Sequence, residues 1–331
     1  MTQPKQLIEG KKPTATLSLD LDNLWCYQRS FDIDSWKEYP SLINLALPRI
    51  LQFLDQHQLQ LTIFIVGRDA ANKDHQAALA EIAAHGHEIG NHSFDHSLTL
   101  HLSPKAQITE DISSAEQAIM AATGQKPIGF RGPAFGLSQT LLEVLSEQGY
   151  VYDASTFPNS IGALARLYHR KNASQLGSDT ELRESLYGDF REAFRPLKPY
   201  RWHFAQAQLI EIPVTTMPLF RLPFHGTYLN YIAERSQHLA YAYYRFALNL
   251  CQKRGVAPSL LLHATDFLGT DDPIPLNYLP GMRLTAKRKL GFMAKVLSTY
   301  TQRFNVKPIG QFVSEISSTK LLPNLKPPQA C

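Results

Sequence analysis

The chain has 331 residues, 44% apolar and 19% charged, enough apolar side chain to close a core and enough to exclude intrinsic disorder and fibrous folds. Its 33 basic and 29 acidic residues leave a net charge of +4, too thin an excess for a protein whose main partner is nucleic acid. Cys26, Cys251 and Cys331 form no CxxC pair and leave one over, which argues against a disulfide framework or a thiolate zinc site and fits a reducing compartment.

Met1 to Gly10 is polar and lacks the hydrophobic region of a signal peptide. The richest apolar run, Leu239 to Leu250, is broken by Arg245 and falls short of the roughly 20 residues that span a bilayer. The expectation is a soluble, cytoplasmic protein. Thr14 to Asp22 (TATLSLDLD) alternates apolar and polar residues and reads as a strand. Leu45 to Gln58 has helical spacing, and Leu61 to Val66 (LTIFIV) is a short buried strand. A helix over Ala77 to Ala84 stops near Gly86, and Glu88 to Gly90 continues as strand. Ser103 then caps a helix that has Pro104 at its first position and ends at Gly124. Ile128 to Phe130 is strand, Ser138 caps a helix closing at Gly149, and Tyr150 to Asp153 is the next strand. Gln208 to Val214 and Ser259 to His263 are again strand-like. This alternation predicts a parallel α/β architecture.

Two regions break it. Asn159 to Phe204 is long, aperiodic and rich in arginine and aromatics, as functional loops are. Thr285 to Phe304 is an amphipathic helix with Leu290, Met293, Leu297, Tyr300 and Phe304 on one face and Lys287, Arg288 and Lys289 near its start. The organisation expected is one catalytic domain over 1–331: a barrel core at about 14–270 with an insertion at 159–204, a helical cap over 271–320, and a loose, Pro-rich tail from 321 to 331.

Four polar clusters fall at strand ends or just after them, where parallel α/β folds build sites. Asp20 and Asp22 lie two apart and point to one face of a strand, either to share a cation or Arg or as exposed strand-end acids. His92 and His96, four apart, suit one face of a helical turn and either chelate a divalent ion or decorate a surface. His87-Glu88 is not a zinc-protease HExxH, because His92 follows His87 by five positions; His85 and His87 read as structural. Arg131, with Gly132 and Pro133 after it, offers a guanidinium fork beside backbone N–H groups, or is an ordinary strand–helix connection. His263 ends an apolar strand with Asp266 near it, as a core residue or as a catalyst.

Taken in order, these clusters resemble the polysaccharide deacetylase family (the NodB-homology domain of carbohydrate esterases), from about Leu17 to Phe267. Further matches are Ile63-Phe64-Ile65-Val66-Gly67, Gly86 to His92, Gly149-Tyr150-Val151-Tyr152-Asp153 and Glu211-Ile212-Pro213-Val214. The resemblance implies a distorted (β/α)7 barrel. It gives Asp20 the part of general base and makes Asp22, His92 and His96 ligands of a divalent metal, zinc first. Arg131 orients Asp20, His263 is the general acid, the Ala134 N–H completes an oxyanion hole, and Asp153 supports the acid–base network. Three features depart from the family: Leu21 separates the two acids in a DxD arrangement, Phe135 is displaced by one, and Asp153-Ala154-Ser155-Thr156-Phe157 replaces the Asp-x-x-Asp-Trp pattern.

The activity implied is metal-dependent removal of an N-acetyl or N-formyl group from an amino sugar, free, oligomeric or lipid-linked. The alternatives are an allantoinase-like amidohydrolase acting on a small cyclic amide or ureide, and a non-catalytic carbohydrate-binding module. The arginine–aromatic insertion and the Lys287–Lys289 cluster suggest a polyprenyl-phosphate-type substrate met by peripheral contact with the inner membrane face.

Overall fold

The computed structural model describes residues 12–161, 193–204, 207–318 and 322–328. Seven parallel strands lie side by side in the order β8 (Ser259–His263), β1 (Thr14–Leu21), β2 (Thr62–Ile65), β3 (Glu88–Asn91), β4 (Gly129–Phe130), β5 (Tyr152–Asp153) and β7 (Ala207–Glu211). The ladder does not run between β7 and β8. There the Thr215 N–H donates to the Ser259 carbonyl at 3.0 Å, and the Ser259 N–H returns to the Thr215 hydroxyl at 2.8 Å. That exchange closes the ring, and the result is the expected distorted (β/α)7 barrel.

The β1 sequence shows how the barrel sorts its residues. Leu17, Leu19 and Leu21 point outward into the layer packed by Ile43, Leu47, Ile50 and Leu54 of the helix Ile43–Gln56. Ser18 and Asp20 point the other way, to the polar interior that Arg131 fills. The helix Ala286–Arg303 covers the barrel from below. Its Tyr300 hydroxyl reaches the carbonyls of Thr16 and Pro258 at 2.9 and 2.8 Å, and its Met293, Val296 and Leu297 are buried in the same core. Among the described residues no helix is long and apolar enough to cross a membrane.

Several expectations need correction. The helix Lys105–Thr123 has Pro104, not Ser103, at its N-cap. His92 and His96 lie in a loop after β3, not on a helix. The amphipathic helix is real, but its apolar face is spent on the core and is not free for lipid. Lys289 is buried with it, donating to the Thr265 carbonyl at 2.6 Å, and burial pushes its ammonium down to about 8. Only Lys287 and Arg288 of that cluster are exposed. Of the insertion, Tyr200–Phe204 forms β6, antiparallel to β7, while residues 162–192 lie outside the described residues. The tail contributes a short strand, Asn324–Leu325, which pairs in parallel with β6.

Candidate active site

Asp20 and Asp22 stand at the end of β1, both buried. Asp22 Oδ1 is 3.2 Å from Nε2 of His92 and 3.2 Å from Nε2 of His96. Two histidines four apart meet one carboxylate here without a helix, because Ser93 (φ 65°) and His96 (φ 46°) both take left-handed backbone. Asp111 holds the turn by accepting the N–H groups of Phe94 (2.8 Å) and Asp95 (3.4 Å), and Asn91 accepts that of Ser93 at 2.8 Å. The Asp95 side chain turns away to Arg68.

One ligand atom from each of Asp22, His92 and His96 lies within 4.8 Å of the others, all three residues buried. Two imidazoles and a carboxylate are the donor set of a zinc-type site that keeps positions open. The other ring nitrogen of His92, Nδ1, lies 2.6 Å from the Arg131 carbonyl, which turns Nε2 toward Asp22. Burial pushes Asp22 up, but the His96 and His92 imidazoles outweigh it and hold the carboxyl well below its usual range. Burial likewise pushes His92 down, and Asp22 with Asp20 brings it above its usual value.

Arg131 follows β4 and is fully buried. Its Nη1 donates to Asp20 Oδ1 at 2.6 Å and to the Ser18 hydroxyl at 3.0 Å, its Nε donates to the Ala154 carbonyl at 3.0 Å, and the guanidinium lies 4.3 Å from the centre of the Phe64 ring. The base candidate is thereby fixed and kept beside a permanent cation. Beyond it, Ala134 (φ 50°) and Phe135 (φ 60°) are left-handed in succession, costly for non-glycine residues and typical of functional turns.

Asp153 meets this turn indirectly. Its Oδ1 accepts from the Ser155 hydroxyl at 2.6 Å, and that oxygen accepts the Gly132 N–H at 2.8 Å. Across the ladder Asp153 sits beside Glu211, which accepts from the Thr156 N–H (2.9 Å) and Trp202 Nε1 (2.8 Å). Burial and the Asp153 charge push Glu211 well above its usual value. Among the described residues no hydrogen bond joins Asp153 to His263 or Asp20. Its place is under the Arg131 turn.

His263 ends β8 in register with Asp20. Its Nδ1 lies 3.0 Å from the hydroxyl of Thr227, in the first turn of the helix Gly226–Ala233. Asp266 accepts the backbone N–H of His263 (2.9 Å) and the Asn230 amide (3.0 Å), and its own backbone N–H donates back to the His263 ring, which also meets Thr227. Gly226 is glycine because a Cβ there would run into the Asp266 carboxylate and Leu262. An aromatic row joins the two sides of the site: Phe135 to Phe157 at 4.7 Å between centroids, Phe157 to His225 at 5.7 Å, and His225 to His263 at 5.8 Å.

Sequence reading gave no role to Ser155 or Glu211, which it quoted only within motifs, and did not single out Asp111, His225 or Thr227. Each acts through a contact made by folding. His85 and His87 are away from the site, as expected: His85 faces Asp55 at 2.9 Å, and His87 is buried. Glu88 begins β3 at the opposite end of the barrel, where it accepts from Tyr152 (2.6 Å) and the Gly310 N–H (2.8 Å).

Residues 30–152 match the family model for polysaccharide deacetylase. Over that stretch the chain is similar to polysaccharide deacetylases. Among its relatives, the uncharacterized protein YlxY of Bacillus subtilis is 31% identical over 112 residues, which are 32% of this chain and 34% of that protein. A peptidoglycan deacetylase of Helicobacter pylori is 28% identical over 116 residues, 35% of this chain and 39% of that enzyme. The chain thus matches well under half the length of these curated relatives. The fold likeness runs further: a crystal structure from Mycobacterium smegmatis, of a protein assigned as a polysaccharide deacetylase, covers 99% of both chains with a TM-score of 0.63 at 18% identity. The family match takes in His92, His96, Arg131 and Ala134, while Asp20, Asp22, Asp153 and His263 lie outside it.

Proposed function

We propose that the protein is a hydrolase that removes an N-acetyl or N-formyl group from an amino sugar, using a divalent metal ion, zinc first, held by Asp22, His92 and His96. One observation carries the reading. The Asp20–Arg131 pair, the Asp22–His92–His96 cluster and His263 converge at one end of the barrel, although they come from four separate stretches of chain.

The donor set suits such an ion, which supplies Lewis acidity to the acyl carbonyl and lowers the pKa of a water toward ~7. The chain does the rest. Asp20, held by Arg131, takes the proton of the attacking water. The Ala134 N–H donates to the oxygen where negative charge develops. His263 gives a proton to the departing amine, with its ring set by Thr227. The carbon–nitrogen bond breaks, and a free amine and a carboxylate leave.

The test is acetate and formate release from free, oligomeric, nucleotide-linked and lipid-linked N-acyl amino sugars, with allantoin as a further arm. Release from one or more of the sugars is the expected result. Turnover of allantoin alone would replace this reading with the cyclic-amide one, and binding of sugars without any turnover would leave a carbohydrate-binding module. Preference for the lipid-linked sugar over its lipid-free counterpart would establish a membrane-borne substrate.

A further inference from the structure

His225 has no part in the chemistry above, yet it stands between His263 and Phe157 in the aromatic row that bounds the site. Its Nδ1 is buried and meets no hydrogen-bond partner. Orphaned buried N–H groups are rarer than under-satisfied acceptors, so Nδ1 carries the lone pair and the proton sits on Nε2. Burial, with the neighbouring His263, pushes the imidazole down to about 3, so the ring is neutral in ordinary buffers. A neutral N–H donor beside an acid candidate, in a row of aromatic rings, is suited to an uncharged, oxygen-rich ring with apolar C–H faces.

We infer that His225 is a substrate-contacting residue whose Nε2–H donates to a sugar oxygen next to the scissile amide while Phe157 and Phe135 pack against the sugar face. This rests on the amino-sugar reading above and adds to it a residue that selects substrate without moving a proton. Gly226 and Thr227 follow directly, so a single turn at the start of the helix Gly226–Ala233 both sets the His263 ring and presents the donor.

The experiment compares wild type, His225→Gln and His225→Phe in two measurements with the tetramer of N-acetylglucosamine: calorimetric affinity, and kcat and KM for acetate release. His225→Gln keeps a side-chain N–H donor and His225→Phe keeps ring volume without one, and thermal unfolding confirms that each is folded. One neutral hydrogen bond predicts about a three- to tenfold loss of affinity and rise in KM for His225→Phe, with kcat changed less and most of the loss restored in His225→Gln. The pH dependence of kcat should be the same in all three. Acetate release by wild type with equal affinity and KM in His225→Phe overturns the inference and leaves the function standing. Tighter binding by wild type than by His225→Phe, with no release from any sugar of the panel above, supports the inference and overturns the function. Neither binding nor release of this tetramer by wild type overturns the inference, and no release from any sugar of the panel overturns the function as well.

Discussion

The two sides of the site are built from opposite electrostatics. On the β1–β4 side, four ionisable groups and a guanidinium are buried against one another: Asp20 against Arg131, and Asp22 against His92 and His96. On the β8 side, His263 meets the hydroxyl of Thr227 and the neutral ring of His225, and the nearby carboxylate of Asp266 is spent on backbone and amide N–H groups. The charged side gathers the donors proposed for the metal and places a guanidinium on Asp20. The neutral side gives the His263 ring an uncharged hydroxyl as its side-chain partner. The family match covers His92, His96 and Arg131 of the charged side and ends before β8.

Substitutions that erase the charged side should have the largest effects. Asp20→Asn keeps the shape but removes the proton acceptor, and acetate release should fall about 10²–10⁴-fold with bound metal unchanged. If metal is lost as well, Asp20 and Asp22 share the ligand role and the division drawn here fails. Arg131→Leu leaves Asp20 buried without its cation, and breaking a buried pair costs about 3–5 kcal/mol, read by urea unfolding. A loss below about 1 kcal/mol would show that Asp20 does not depend on Arg131.

Thr227→Val tests the neutral side. It removes one hydrogen bond to His263, and kcat should fall by about tenfold or less, without change in metal content or in unfolding midpoint beyond a few degrees. A loss comparable to that of Asp20→Asn would mean that the hydroxyl does more than set the ring. The smallest effect lies outside the site. Burial, with His85 beside it, pushes His87 down to about 4, whereas an unfolded histidine titrates near 6.5. The folded protein therefore buries the neutral ring, its contribution is complete above about pH 6.5, and it is lost as pH falls from there toward 4. Thermal unfolding at pH 7, 6 and 5 should show the decline, and His87→Leu should flatten it.

The strands were legible because their residues repeat with period 2 or form short apolar runs, and the strand ends then exposed Asp20, Asp22, Arg131 and His263. The loop geometry was not. His92 and His96 look helical by spacing, and the left-handed Ser93 and His96 that bring them to Asp22 are paid for by Asp111, nineteen positions after His92. Asp153 was found, and Glu211 was quoted in a motif, but not that the two face each other, since a pairing across a ladder leaves no mark along the chain. The basic run Lys287–Lys289 looked like one surface, because periodicity cannot say that Lys289 turns inward to the Thr265 carbonyl.

The most direct test of the account is metal removal and return. Protein freed of metal by chelation should lose acetate release from the N-acetylglucosamine tetramer, and one equivalent of zinc should restore it in wild type but not in a His92→Ala/His96→Ala variant. Acetate release that persists at the wild-type rate after the metal is gone would contradict it.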